Sequence, residues 1–127
     1  MKSIKLFLIV VLAGLTVTAC GSKETSEYQR ISMDEAVELM ETEENYIILD
    51  VRTPEEYSDG HIPGAVNVPN ETIGSDEIPE LPDKDQMILV YCRSGNRSRQ
   101  ASEKLAEQGY TNVQEFGGIK DWKGELE

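Results

Sequence analysis

Two short stretches of almost uninterrupted apolar residues constrain the fold of this chain most. Tyr46-Ile47-Ile48-Leu49 leads into Asp50-Val51-Arg52, and Met87-Ile88-Leu89-Val90-Tyr91, the most apolar strand beyond the N-terminal region, leads into Cys92. Runs this short, apolar at nearly every position, suit strands buried on both faces, the condition of a parallel sheet covered by helices. Ala65-Val66-Asn67-Val68 after the Pro63-Gly64 turn, and Thr111 to Phe116, supply two more strands. Helices fall between them. Ser32 with Glu35 forms a capping box ahead of a stripe at Met33, Ala36, Val37 and Met40, and Thr53 with Glu56 forms a second around Pro54. A third helix spans about Asn96 to Gln108, with Ala101, Leu105 and Ala106 inward and Gly109 as its stop. The stretch from Asn70 to Gln86 holds prolines and six acidic residues and reads as a loop with a short helical piece around Asp76 to Ile78. Gly117-Gly118 then turns the chain into a short terminal helix around Trp122. Strand and helix alternate throughout, which defines an α/β fold with sites beyond the carboxyl ends of its strands.

The first 19 residues are read apart from this fold. Lys2 and Lys5 precede twelve residues from Leu6 to Val17 that are almost wholly apolar. That run is shorter than the ~20 residues a spanning helix needs, so it suits a cleaved export signal. Val17-Thr18-Ala19-Cys20 resembles the lipobox of bacterial lipoproteins, in which the cysteine is lipidated and becomes the new N-terminus. The organisation expected is a signal peptide over 1–19, a lipid attachment and flexible tether over 20–28, and one globular domain over 29–125. The resemblance implies an extracytoplasmic protein anchored to the bacterial cell membrane through Cys20. All 24 acidic residues but only ten of the 12 basic ones lie after Cys20, a formal charge of −14 for that part. Such a balance argues against nucleic acid as a partner and against an electrostatic grip on anionic lipid. Attachment then falls to acyl chains.

Cys20 and Cys92 are the only cysteines, so lipidation of the first leaves the second without a disulfide partner. An unpaired thiol in an exported protein points to chemistry. Cys92 follows the strongest strand and precedes the longest helix of the domain, and Cys92-Arg93-Ser94-Gly95-Asn96-Arg97-Ser98 joins the two. A short loop entering a helix aims backbone N–H groups at one point, and the helix terminus adds about half a positive charge. Arg93 and Arg97 add full charges, Gly95 permits a tightly curved backbone, and Ser94 and Ser98 offer hydroxyls to an anion. A thiolate among such groups ionises below the free value of ~8.5 and becomes nucleophilic near neutrality. Arg99 is expected to make only a surface ion pair.

This loop resembles the active-site loop of single-domain rhodaneses. Three further motifs agree in order and spacing: Leu49-Asp50-Val51-Arg52-Thr53-Pro54-Glu55-Glu56-Tyr57, then Gly60-His61-Ile62-Pro63-Gly64-Ala65-Val66-Asn67-Val68-Pro69, then Gly117-Gly118-Ile119 with Asp121-Trp122. The resemblance covers about Tyr28 to Lys123. It implies a rhodanese-like three-layer fold, a five-stranded and mostly parallel sheet with helices on both faces. It also implies a sulfurtransferase that moves a sulfane sulfur, from a small anionic donor such as thiosulfate to a thiol or cyanide acceptor, through a persulfide on Cys92. Arg93, Ser94, Gly95, Asn96, Arg97 and Ser98 would bind the substrate.

Rival readings are separable. Related phosphatases and arsenate reductases use Cys-x5-Arg, wide enough for a tetrahedral oxyanion, whereas Cys92 to Arg97 is Cys-x4-Arg, a tighter cradle. A persulfide carrier or protein-docking module without turnover is the alternative of a different class, and thiosulfate:cyanide activity tells the two apart. His61, the only histidine, is expected to hydrogen-bond backbone and fix its turn. Asp50 is expected to hold backbone donors, Arg52 to pair with an acid such as Glu56, and Trp122 to plug the end of the sheet. No cluster has metal-ligand spacing, and the chemistry calls for no cofactor.

The lipobox makes a direct prediction. Replacing Cys20 with Ala should release the protein from the membrane fraction or leave it unprocessed, read by fractionation and intact mass. A variant that stays in the membrane at mature size would overturn the lipoprotein reading.

Overall fold

The computed structural model describes residues 27–127. The export signal, Cys20 and most of the tether lie outside them. Five strands form one parallel sheet: β1 (Gln29–Arg30), β2 (Tyr46–Asp50), β3 (Val66–Asn67), β4 (Met87–Cys92) and β5 (Val113–Gly118), in the order β1-β5-β4-β2-β3. The three longest strands occupy the centre, flanked by two-residue edges. β4 lies between β2 and β5, with Leu49 opposite Val90 and Ile88 opposite Val113.

Residue alternation along β4 sorts the core into two layers. Ile88, Val90 and Cys92 face the layer that contains Ala101 and Leu105 of α3 (Asn96–Glu107). Leu89 and Tyr91 face the layer of Ala36, from α1 (Met33–Thr42), with Phe116 and the half-buried Tyr57 of α2 (Pro54–Asp59). Helices thus cover both faces, and the apolar runs of β2 and β4 are buried because neither face meets water. Both capping boxes form: Ser32 Oγ accepts from the Glu35 amide at 3.0 Å, and Thr53 Oγ1 from the Glu56 amide at 3.2 Å. On α1, Ala36 is buried and Met33 and Met40 pack against the sheet layer, while Val37 stays partly exposed.

Two expectations change. The helical piece of the acidic loop is a 3-10 turn at Asn70–Thr72, not around Asp76 to Ile78. Pro69, at φ −58°, presets its first bend, and the Thr72 hydroxyl donates to the Pro69 carbonyl at 2.7 Å. The loop beyond it is anchored by buried Ile73, Ile78 and Leu81, and Tyr110 donates to the Leu81 carbonyl at 2.7 Å. The terminal helix is likewise a 3-10 turn at Ile119–Asp121, with Trp122 half-buried against the α1 layer as the sheet-end plug expected.

At the carboxyl end of β2, Arg52 does not reach Glu56. Its guanidinium donates to Asp50, at 2.6 Å from Nη2 to Oδ2, and to the Gly60 carbonyl at 2.7 Å. The Arg52 amide donates to Asp50 Oδ1 at 2.9 Å, as expected of a carboxylate holding backbone donors. Tyr91 Oη donates to Asp50 Oδ2 at 2.7 Å and accepts from the Ile62 amide at 3.1 Å. Burial and the hydrogen bond to Asp50 push the Tyr91 hydroxyl well above the ordinary tyrosine range. Asp50 is wholly buried and the Arg52 side chain 7% exposed. Removing one member of such a pair strands the other charge in the core. Asp50→Ala should therefore lower stability by about 3–5 kcal/mol, read as a fall in the denaturant midpoint; a loss within 0.5 kcal/mol, typical of an ordinary surface change, would show that the pair is not what holds this end together.

Candidate active site

β4 ends on Cys92 and α3 begins at Asn96, so three residues make the turn between them. Gly95 sits at φ 112°, a left-handed conformation that glycine adopts without steric cost. That bend brings the Gly95 amide onto Cys92 Sγ at 3.0 Å. The thiol is 1% exposed at the floor of the turn. On its inner side the Ser98 hydroxyl lies 3.5 Å from the sulfur. Burial pushes the Cys92 thiol up, but the hydrogen bonds its ionised form would receive, from the Ser98 side chain and the Ser98, Gly95 and Ser94 amides, outweigh it, so the thiol ionises below its ordinary value. The expected lowering is present, and its source is mainly the backbone cradle and one hydroxyl; the arginines are not among its main causes.

Of the expected binding residues, Arg93, Ser94 and Asn96 are exposed around the mouth. Gly95 is buried in the turn. Ser98 is wholly buried and faces inward, so its hydroxyl is not presented to an anion at the mouth as expected. Its Oγ donates to Glu115 Oε2 at 2.6 Å. Arg97 is held as half of an ion pair, with Nη1 2.7 Å from Glu56 Oε1 and Nη2 3.1 Å from Oε2. Among the described residues Arg99 makes no ion pair within 4.0 Å; Nη2 donates to Asn96 Oδ1 at 2.8 Å, a bond within the first turn of its own helix. His61 stacks on Tyr57 with centroids 3.7 Å apart, and its Nδ1 lies 2.9 Å from the Tyr57 carbonyl, so it fixes its turn as expected.

Two site residues have no part in the expected loop. Glu56, read above as a cap and as a partner for Arg52, orients Arg97 across 41 residues of sequence. Glu115, on β5, is a buried carboxylate behind the thiol. Its signal in sequence is an acid two residues after the inward Val113, in phase with the buried face. Gly118 matters for space: a Cβ there would lie 1.9 Å from the Arg93 carbonyl oxygen, so β5 can pass beneath the loop only as glycine. Outside the loop lies a cleft of about 380 Å³ whose walls include Glu56, Asp59, Arg93, Ile119 and Leu126.

The chain has relatives among known proteins. The rhodanese-like domain family matches residues 32–125, and the chain belongs to that family. It is 44% identical over 73 residues to the thiosulfate sulfurtransferase PspE of Escherichia coli, covering 58% of this chain and 70% of that protein. It is 35% identical over 99 residues to the thiosulfate sulfurtransferase GlpE of Pseudomonas entomophila, covering 77% and 87%. Among solved structures, an E. coli rhodanese with anions aligns with a TM-score of 0.59 at 39% identity, over 65% of this chain and 96% of that one. The five-stranded α/β architecture is the one these neighbours share.

The ion pair at the mouth has a pH signature. Arg97's guanidinium, working against partial burial and helped by the Thr53 hydrogen bonds, holds the Glu56 carboxyl at about 2, below its ordinary 4.5. A depressed carboxyl contributes stability above its unfolded value and loses it as pH falls through the folded one. Glu56→Gln keeps the capping box and removes the charge. Wild type should exceed it by about 0.2–1 kcal/mol, the range of part-exposed pairs, at pH 7. The difference should close as pH falls from 4.5 towards 2. A gap that persists at low pH in denaturant titrations would mean the pair is not its source.

Proposed function

We propose that the protein is a rhodanese-type sulfurtransferase that carries a sulfane sulfur as a persulfide on Cys92. The observation that carries the reading is the Gly95 amide directed onto Cys92 Sγ at 3.0 Å within a Cys-x4-Arg turn. In the first step the Cys92 thiolate attacks the outer sulfur of thiosulfate. The S–S bond of the donor breaks, sulfite leaves with the bonding electrons, and an S–S bond forms on Cys92. In the second step a thiol or cyanide acceptor attacks the outer persulfide sulfur and Cys92 departs as thiolate. The loop amides stabilise the anionic outer sulfur as they would an oxyanion. Two displacements through one covalent intermediate give ping-pong kinetics.

The loop residues divide this work. Arg93, exposed at the mouth, and the Ser94, Gly95 and Asn96 backbone meet the anionic donor. Arg97, held by Glu56, lends a fixed but partly neutralised charge, and Ser98 works from behind the sulfur. The relatives named thiosulfate sulfurtransferase favour thiosulfate as a donor. The lipobox and the short apolar run support an extracytoplasmic protein anchored to the bacterial cell membrane through lipidated Cys20. Thiol acceptors are then those met outside the cytoplasm.

Incubating the purified protein with thiosulfate and no acceptor should add one sulfur atom at Cys92, seen by peptide mass. The addition should be lost with a reducing thiol and absent in Cys92→Ser. Cyanide should discharge it catalytically; loading without turnover on cyanide or small thiols would favour the carrier reading. Sulfur that still loads in Cys92→Ser, or phosphate-ester hydrolysis without any persulfide, would sink the proposal.

A further inference from the structure

Glu115 is a buried carboxylate that this mechanism leaves unused. It is 2% exposed, and a charge taken that far from water needs partners. Oε2 accepts from Ser98 Oγ at 2.6 Å and from the Gly117 amide at 2.9 Å. Oε1 lies 3.6 Å from Nε of Arg30, a side chain that is itself 65% exposed. The outer side of Glu115 shares a cleft with Arg30 of β1, Arg99 of α3 and Asp121 of the turn after β5. Its inner side faces Ser98, and through Ser98 the thiol of β4.

Ser98 has one hydroxyl hydrogen and three oxygen acceptors within reach: Glu115 Oε2 at 2.6 Å, the Gly95 carbonyl at 3.0 Å and the Gly117 carbonyl at 3.4 Å. The shortest of these contacts is to the carboxyl group, and a bond to a carboxylate is stronger than one to a carbonyl. With its hydrogen held there, Ser98 can turn only lone pairs towards Cys92. The thiol then donates to Ser98 Oγ at 3.5 Å. Sulfur, hydroxyl and carboxylate form one line of hydrogen bonds leading away from the mouth.

We infer that Glu115 takes the Cys92 thiol proton through Ser98, and so prepares the thiolate without a base at the surface. The S–H proton passes to Ser98 Oγ while the Ser98 hydroxyl proton passes to Glu115 Oε2. One S–H and one O–H bond break, and two O–H bonds form. A thiol beside a carboxylate becomes a thiolate beside a carboxylic acid, with no net charge gained or lost. The hydrogen now on Ser98 lies on the sulfur side and joins the Gly95 amide in holding the thiolate. The interior route suits a sulfur that is 1% exposed, and the ring of His61 is already committed to its own turn. Glu115 never touches the reacting sulfur; it acts through Ser98.

The inference rests on the proposed chemistry of Cys92, and its test separates the two. Sulfur loading from thiosulfate and alkylation by iodoacetamide are both followed at Cys92 by peptide mass across pH, in wild type, Glu115→Gln, Ser98→Ala and the double variant. Glutamine keeps an acceptor for Ser98 but cannot hold the proton as glutamate does. At neutral pH the Glu115→Gln rates should fall by about a hundredfold or more, the scale of general-base transfer. They should recover as pH rises, because solvent base then removes the proton, so both profiles move to the alkaline side. The double variant should lose no more than Ser98→Ala, since both changes cut one path. A Glu115→Gln profile that is unmoved, shifted to the acid side, or lowered equally at every pH would overturn the relay. If wild type takes no sulfur from thiosulfate while alkylation still shows the alkaline displacement, the sulfurtransferase reading fails and the relay stands.

Discussion

Most of the structure around Cys92 depends on one buried carboxylate, that of Asp50. It closes β2 by accepting from the Arg52 amide and guanidinium, and it takes the Tyr91 hydroxyl of β4 across the sheet. Each partner carries the link further. Arg52 holds the Gly60 carbonyl at the end of α2, and Tyr91 receives the Ile62 amide of the following turn. The Asn67 side chain of β3 donates to the Asp50 and Arg52 carbonyls, both at 3.0 Å. Burying two charges is costly unless their hydrogen-bonding positions are met, and here Asp50 takes the Arg52 amide, the guanidinium and the Tyr91 hydroxyl, while Arg52 Nη2 also reaches the Gly60 carbonyl. The result is that Tyr91, the residue before Cys92, is fixed at its ring and its hydroxyl. Cys92 begins from a held position.

The same arrangement shapes the electrostatics of the mouth. With Arg52 committed to Asp50, Glu56 is left for Arg97, and the bidentate pair lies beside the loop. Beyond Cys20 the chain carries a formal charge of −14, which would repel the anionic donor of the proposed reaction at long range. At a screening length of about 8 Å in physiological salt, local donors can still prevail over that field. Because Glu56 offsets much of Arg97, the local attraction comes from Arg93, the loop amides and the start of α3. These are backbone groups for the most part, and they cannot be titrated or turned away.

The sequence announces whatever rests on neighbours a few residues apart. Both capping boxes need only a three-residue spacing, and both form as read. The buried strands β2 and β4 declare themselves by apolar residues at nearly every position, and Cys92 falls at the strand end where the α/β pattern puts sites. What it hides depends on distant partners. β1 is two exposed residues, Gln29–Arg30, with no apolar pattern to mark them; it is a strand only because β5 lies alongside. Asp50 and Glu56 were both within local reach of Arg52, and the choice between them turned on Arg97, far along the chain. The 3-10 turn of the acidic loop moved to Asn70 because Pro69 presets its bend. Glu115 shows only as an acid on the buried phase of β5, a weak sign until Ser98 is seen to lie against it.

Gly95 and Gly118 explain how the cradle is built without side chains. The pairing of β4 with β5 is regular up to Val90 and Glu115, then shifts so that Cys92 meets Gly118. Two steps along β4 thus match three along β5, so the extra residue lies on β5 between Glu115 and Gly118 and bends that strand. β5 follows close beneath, and the space for a Cβ at position 118 is already filled by the Arg93 carbonyl. The left-handed Gly95 then folds the loop back so that its amide meets the sulfur. The cradle around the sulfur is therefore a property of backbone path, imposed by a strand shift and two glycines. Side chains are free to do something else: Arg93 and Arg97 shape the mouth, while Ser98 and Glu115 occupy the space behind the thiol. On the proposed chemistry this division separates holding the sulfur, done by fixed amides in front, from handling its proton, done by a hydroxyl and a carboxylate at the back.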